Sequence, residues 1–318
     1  MSSRLLLAIT LLLLTWFSIS TIIANAQEKK VDGGRNKEQL DISSLQLRAR
    51  QGDPEAEYRL GRCYMTGTGV SRNYEEAAKW FRQSAARGFA DAEFSLGYLY
   101  EHGDGVPRDY LQAISYYAAA AKQGHATAEN NLASMYENGR GAKKNIEQAR
   151  RWYRAAAEQS EVVAQCNLAS LYFRSREYSQ AVVWFRVAAQ RGDPTAQENL
   201  AWMYYTHTGI RLDYGEAAKW VRLAAEQGHA RAQLDLAFLY EQGKGVPLDY
   251  ASAYMWYKTA AAGGEKRAAE RLKNIEQVMT SSQISKANAA AEQLSRSLPK
   301  INDVTNSSSI GNSFVDSR

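Results

Sequence analysis

Residues 92–121, AEFSLGYLYEHGDGVPRDYLQAISYYAAAA, hold the pattern that decides the fold. Ala92, Leu96 and Tyr100 stand four residues apart, with the small Gly97 beside them. That spacing lays an apolar stripe along one face of a helix. Gly103-Asp104-Gly105 then ends the helix, because helices commonly close on a left-handed residue that glycine adopts without strain. Asp109, with Gln112 three residues on, has the form of a capping box and opens a second helix. Ala113, Tyr116 and Ala121 mark that helix's expected buried face. No stretch alternates with a period of two, so strands are not expected.

The same hairpin recurs along the chain. Gly52, Gly88, Gly124, Ser160, Gly192, Gly228 and Gly264 stand 36 residues apart, except for one gap of 32. Taking each as position 1, position 5 is Ala56, Ala92, Ala128, Ala164, Ala196 and Ala232. Position 9 is Leu60, Leu96, Leu132, Leu168, Leu200 and Leu236, and position 13 is Tyr64, Tyr100, Tyr136, Tyr172, Tyr204 and Tyr240. This first helix of each hairpin is helix A. In the second, helix B, Trp80, Tyr116, Trp152, Trp184, Trp220 and Trp256 follow a repeated alanine by three residues. Large aromatics opposite Gly and Ala let two helices approach closely. Asn73, Asn145 and Asp213 cap helix B as Asp109 does, and Asp53-Pro54 and Asp193-Pro194 open helix A with a cap and an N1 proline. Repeat four lacks the Gly-x-Gly loop, a deletion that falls between helices, and repeat five carries His207 where the first glycine usually stands.

The pattern Ala-x-x-x-Leu-Gly-x-x-Tyr-x-x-Gly-x-Gly-Val-x-x-Asp-Tyr-x-x-Ala-x-x-Trp-Tyr-x-x-Ala-Ala, matched almost letter for letter by Ala92 to Ala121, resembles the Sel-one-like repeat, a tetratricopeptide relative. The resemblance implies an all-α fold, a right-handed α/α superhelical solenoid of two-helix repeats, serving as a scaffold for protein complexes. Six repeats are expected over 52–264, at 52–87, 88–123, 124–159, 160–191, 192–227 and 228–264. Segment 27–51 reads as a lead-in and N-terminal cap helix, 265–298 as C-terminal capping helices and 299–318 as a disordered tail. Caps are needed because an array exposes apolar faces at both ends.

Residues 1–26 have the form of a signal peptide: a positive start at Arg4, an apolar run from Leu5 to Ile23, and Ala24-Asn25-Ala26 before Gln27. Cleavage after Ala26 would leave an exported protein, periplasmic or secreted, with no stable membrane insertion. The other reading is an uncleaved anchor, since Leu5–Ile23 is nearly long enough to span a bilayer. A net charge of +5, from 39 basic and 34 acidic residues among 318, is too weak to imply a nucleic-acid surface.

Chemistry-bearing motifs are sparse. His102, His125, His207 and His229 lie in turns or near loops of separate repeats and read as solvated, with neither His-Glu-x-x-His nor Cys-x-x-Cys present, so no metal or cofactor is expected. Cys63, at position 12, reads as a core residue, whereas Cys166, at position 7, falls on another surface. Three repeats separate them, well beyond the ~7 Å Cα limit for a bridge. Two free thiols are predicted, one of them buried. Exported Sel-one-like proteins that are cysteine-rich have been linked to penicillin binding, but the paired cysteines are missing here.

With positions 5, 9 and 13 facing the core, the variable positions 7, 11 and 15 form a neighbouring stripe that can serve recognition. Tyr58, Phe94, Tyr98, Trp202 and Phe238 are its candidate aromatic anchors, and Arg62 on the same stripe is a further candidate partner-binding residue. Asn130 and Asn131, with Asn167 and Asn199, could clamp the backbone of an extended peptide. The competing reading is that this stripe packs against the next repeat. The function expected is a non-enzymatic adaptor in the cell envelope that binds peptide or protein partners along the concave face. The alternative is an enzyme-like repeat protein that acts on the cell wall or β-lactams.

Overall fold

The computed structural model describes residues 42–299 and Phe314; the segment expected to be a signal peptide, most of the expected lead-in and nearly all of the expected tail lie outside the described residues. Among the described residues the regular elements are fifteen α-helices, with no strand. The chain forms two compact units, divided between Arg87 and Gly88. In the first, α1 (Ile42–Arg50) precedes the hairpin α2 (Pro54–Thr66) and α3 (Tyr74–Ala86). Leu45 and Ala49 of α1 join Ala56, Leu60 and Cys63 of α2 in one core cluster, so α1 covers the apolar face of that helix.

The second unit is a solenoid of five hairpins. They are α4 (Ala90–His102) with α5 (Tyr110–Lys122), α6 (Ala126–Asn138) with α7 (Ile146–Glu158), α8 (Val162–Arg174) with α9 (Tyr178–Gln190), α10 (Pro194–Thr206) with α11 (Tyr214–Glu226), and α12 (Ala230–Gln242) with α13 (Tyr250–Ala262). Each helix B packs on the next helix A, and α14 (Lys266–Glu276) and α15 (Ser281–Ser297) both pack on α13. Stacking supplies the burial that one hairpin cannot reach alone.

The helix ends follow from their residues. Asn73, Asp109, Asn145 and Asp213 each accept backbone N–H bonds in the first turn of helix B. At Thr280 the box is reciprocal, the side chain of Gln283 returning to the Thr280 backbone. Gly67, Gly103, Gly139 and Gly243 close their helices in the left-handed region. His207 does the same at φ 58°, a conformation that costs a non-glycine residue about 1–2 kcal/mol.

The core departs from the sequence expectation in three places. First, the aromatic opposite the small position 10 is the residue after the repeated Trp. Phe81, Tyr117, Tyr153, Phe185 and Tyr257 are fully buried, whereas Trp80, Tyr116, Trp152 and Trp184 are half-buried and only Trp220 and Trp256 are buried as expected. A Cβ on Gly61 or Gly97 would lie 2.6 Å from the ring of Phe81 or Tyr117, so these glycines admit the ring. On helix B the alanine at 77 or 113 is followed four residues later by that ring, which puts both on one face. Of the position-13 tyrosines only Tyr172 is buried as expected; the others are half-buried, as where Tyr100 stacks on Tyr116 at 5.7 Å. Position 12 replaces it in the core: Cys63, Leu99, Met135, Leu171, Met203 and Leu239 are all buried. Second, both cysteines are free thiols and both are buried, Cys166 as completely as its neighbours. Third, position 6 carries buried polar side chains. Gln123 and Gln159 donate at 2.8 Å to Glu93 and Glu129, and the Gln165, Gln197 and Gln233 amides donate to carbonyls at the ends of preceding B helices. Burial pushes the Glu93 and Glu129 carboxyls up from the ordinary carboxylate range, and the glutamine bonds oppose that shift.

Candidate functional site

The helix-A stripe divides into a packed row and an open row. Within the second unit, position 7 meets the next hairpin's helix A or its cap. Phe94 stacks on His125 at 4.7 Å, Glu198 lies 2.7 Å from His229 and 2.9 Å from Arg231, and Asn130 accepts from Asn167 at 3.0 Å. Asn130, Cys166, Glu198 and Leu234, all at position 7, are buried accordingly. That explains why Cys166 is inside: the position serves stacking between hairpins.

Positions 11 and 15 remain more open. Arg62 is exposed, and Tyr98 is 39% exposed with its ring stacked on His102 at 4.1 Å. Tyr58, Phe94, Asn131 and Trp202 are half-buried, while Asn130 and Phe238 are buried. Trp202 meets Phe173 edge-on at 5.7 Å, and Phe238 meets Tyr205 in the same way at 6.5 Å. Asn130 links the other two asparagines, accepting from Asn167 and donating to Asn131 at 3.2 Å. These candidates therefore fall into an Asn row through the middle repeats, two aromatic steps in repeats four to six, and the outward Arg62 and Tyr98 of repeats one and two.

Sequence reasoning passed over Tyr205 and Asp235. Phe314, from the segment expected to be disordered, stacks on Tyr205 at 4.4 Å, and its backbone N–H donates to Asp235 at 2.8 Å. The available signal was at position 14, which is Glu101, Glu137 and Glu241 in three repeats but Tyr205 in repeat five.

The histidines are not all solvated. His125 caps α6, Nδ1 accepting from Ala128 at 3.2 Å while Nε2 faces Asp91 at 3.2 Å. His229 sits in a partly buried group with Glu198, Arg231 and Asp193. Burial opposes its charge, but the hydrogen bond and charge of Glu198 outweigh that, and its pKa is raised above the ordinary 6.5. The folded chain thus holds this proton more tightly than the unfolded chain. The stabilisation is complete below the unfolded value near 6.5 and is lost as pH rises through the raised folded value. Melting temperature should fall across that interval in the native chain and fall less in His229→Asn. Parallel pH profiles would refute the coupling.

Among the described residues no three His, Cys, Asp or Glu side chains converge as metal ligands. No helix among them is long and apolar enough to cross a membrane.

Comparison with known proteins places this geometry. The chain matches the Sel1 repeat six times, at 54–89, 90–125, 126–161, 162–193, 194–229 and 230–265. A protective antigen present in uropathogenic Escherichia coli strains, displaying an SLR fold, is 35% identical with a TM-score of 0.77. The match covers 81% of this chain and 56% of the antigen. A Sel1 repeat protein from Oxalobacter formigenes is 34% identical with a TM-score of 0.66, over 73% of this chain and 68% of that one. No curated protein matches the chain.

Proposed function

The chain belongs to the Sel1 repeat family, a protein-interaction fold, and on that premise we propose that it is a non-enzymatic adaptor of the cell envelope that binds peptide or protein partners along its helix-A wall. The observation that carries this reading is the division of roles along helix A. Positions 5, 9 and 12 are given to the core and position 7 to stacking, while position 11 changes from repeat to repeat and presents the exposed ring of Tyr98. Constant positions make the hairpin packing; a variable, aromatic-bearing row is what a recognition surface needs. Placement outside the cytoplasm is supported by the leader-like residues 1–26 and by the likeness to a protective antigen.

The test is affinity capture from the native envelope with the mature chain, read by mass spectrometry, beside a Tyr98→Ala variant. Tyr98 is 39% exposed, so its replacement should shift the melting temperature only slightly. Interface aromatics that act as anchors are each worth more than ~1 kcal/mol, so recovery of partners that use this row should fall about ten-fold. Trp202→Ala should reduce recovery too, with a lower melting temperature because it packs on Phe173. Recovery of the same partners in the same amounts by both variants would rule out this wall. Turnover of peptidoglycan fragments or β-lactams would rule out the non-enzymatic reading.

A further inference from the structure

We propose that the step between repeats five and six is a binding site for one aromatic residue of an extended peptide, and that the chain's own carboxy-terminal segment fills it through Phe314. The proposal rests on the reading of the helix-A wall as a peptide-binding surface and names where on it, and for what, that binding occurs.

Two departures from the repeat create the site. In repeats two, three and six, position 14 is a glutamate that accepts from a helix-B tyrosine: Tyr117 donates to Glu101 at 2.8 Å, Tyr153 to Glu137 at 3.0 Å, and Tyr257 to Glu241. In repeat five that tyrosine is Val221, and position 14 is Tyr205. The polar pair is gone and a ring takes its place. Tyr205 lies against Tyr214 at 5.3 Å and Phe238 at 6.5 Å, and Lys244 sits over the Tyr205 and Tyr214 rings at 4.9 and 5.2 Å while donating to the Tyr205 hydroxyl at 2.9 Å. The second departure is at position 8, where Asn131, Asn167 and Asn199 give way to Asp235 in repeat six. An asparagine side chain both donates and accepts, whereas an ionised carboxylate only accepts, which suits it to a backbone N–H.

Phe314 uses both features. Its ring is nearly parallel to Tyr205, at 10° and 4.4 Å, it is 1% exposed, and its amide donates to Asp235 at 2.8 Å. A ring held by a stack and an amide held by a carboxylate is recognition of a peptide residue, side chain and backbone together. Residues 300–313 join Phe314 to the end of the array. A tethered ligand acts at roughly millimolar effective concentration, so an outside peptide must compete with it. The tail is therefore an internal guest that raises the threshold for partners bearing a phenylalanine or tyrosine.

The experiment uses the full chain and a fluorescein-labelled peptide of residues 306–318 as probe, followed by anisotropy. Phe314→Ala should bind the peptide at least ten-fold more tightly than the native chain does, and a peptide with alanine at 314 should not bind either protein. Equal binding to both proteins, or none to Phe314→Ala, overturns the proposal. A second measurement needs no loss of the anchor: 4-fluorophenylalanine at 314 in the native chain, read by fluorine resonance. Its signal should differ from that of the free peptide and move to it when excess unlabelled peptide is added. A signal identical to the free peptide's from the outset overturns the proposal as well. If tail peptide binds while no envelope partner is captured, the adaptor reading fails and the site stands. Captured partners that ignore Phe314→Ala reverse that outcome.

Discussion

Gly245→Ala should destabilise the second unit by about 2–5 kcal/mol, the sum of left-handed strain and overpacking. Gly245 is the second glycine of Gly243-Lys244-Gly245, at φ 70°. A Cβ there would lie 1.9 Å from the carbonyl oxygen of Tyr214 and 2.4 Å from its carbon. These are backbone atoms at the first residue of α11, in the preceding hairpin, and cannot swing aside as a side-chain tip can. Gly141 makes the same approach to Tyr110, at 2.4 Å. The loop therefore does more than stop a helix, because it seats one hairpin on the head of the previous helix B. Gly124→Ala is the matched control: φ is 81° but nothing lies within 4 Å of its Cβ, so only the strain of about 1–2 kcal/mol applies. Urea denaturation of the two variants separates the terms. Equal midpoints would mean that the loop is not seated on α11.

How far the sequence could be read depends on which interactions repeat. Ala128, Leu132 and their counterparts recur because every hairpin needs the same contact with its own partner, and a single chain with six copies displays that need six times. The correct ring, Tyr117 over Tyr116, was harder to see because both neighbours are aromatic and only the facing Gly97 separates them. Position 7 was legible as variable, with packing against the next repeat as its competing reading: Phe94, Asn130 and Glu198 share no chemistry, because each meets a different side chain in the next hairpin. Buried Glu93 and Gln165 were missed for a related reason. A polar residue in helix A reads as surface unless its partner at the end of a helix B is known. Tyr205 and Asp235 acquire meaning only once Phe314, 79 residues beyond Asp235, is placed beside them.

Leu168→Ala should cost about 2–5 kcal/mol and should also break the cooperativity of the second unit. Leu168 is fully buried in α8, in the middle hairpin of the five, inside a core cluster that runs from Ala133 through the capping helices. In a stacked array stability is a sum of hairpin terms and nearest-neighbour interfaces, so a weakened middle member strikes its own term and both interfaces at once. Repeat four has little in reserve. Its loop turns on Arg176 at φ 61° without glycine, and its helix A starts after Ser160 at φ 72°. Each of these left-handed residues costs about 1–2 kcal/mol that a glycine would not. The native unit should melt in one transition. The variant should melt in two, with hydrogen exchange accelerated first over residues 162–190 and protection retained on either side. A single transition shifted to lower temperature, with protection lost evenly from Ala90 to Ala262, would mean that the five hairpins fold as one globular body rather than as a chain of neighbours.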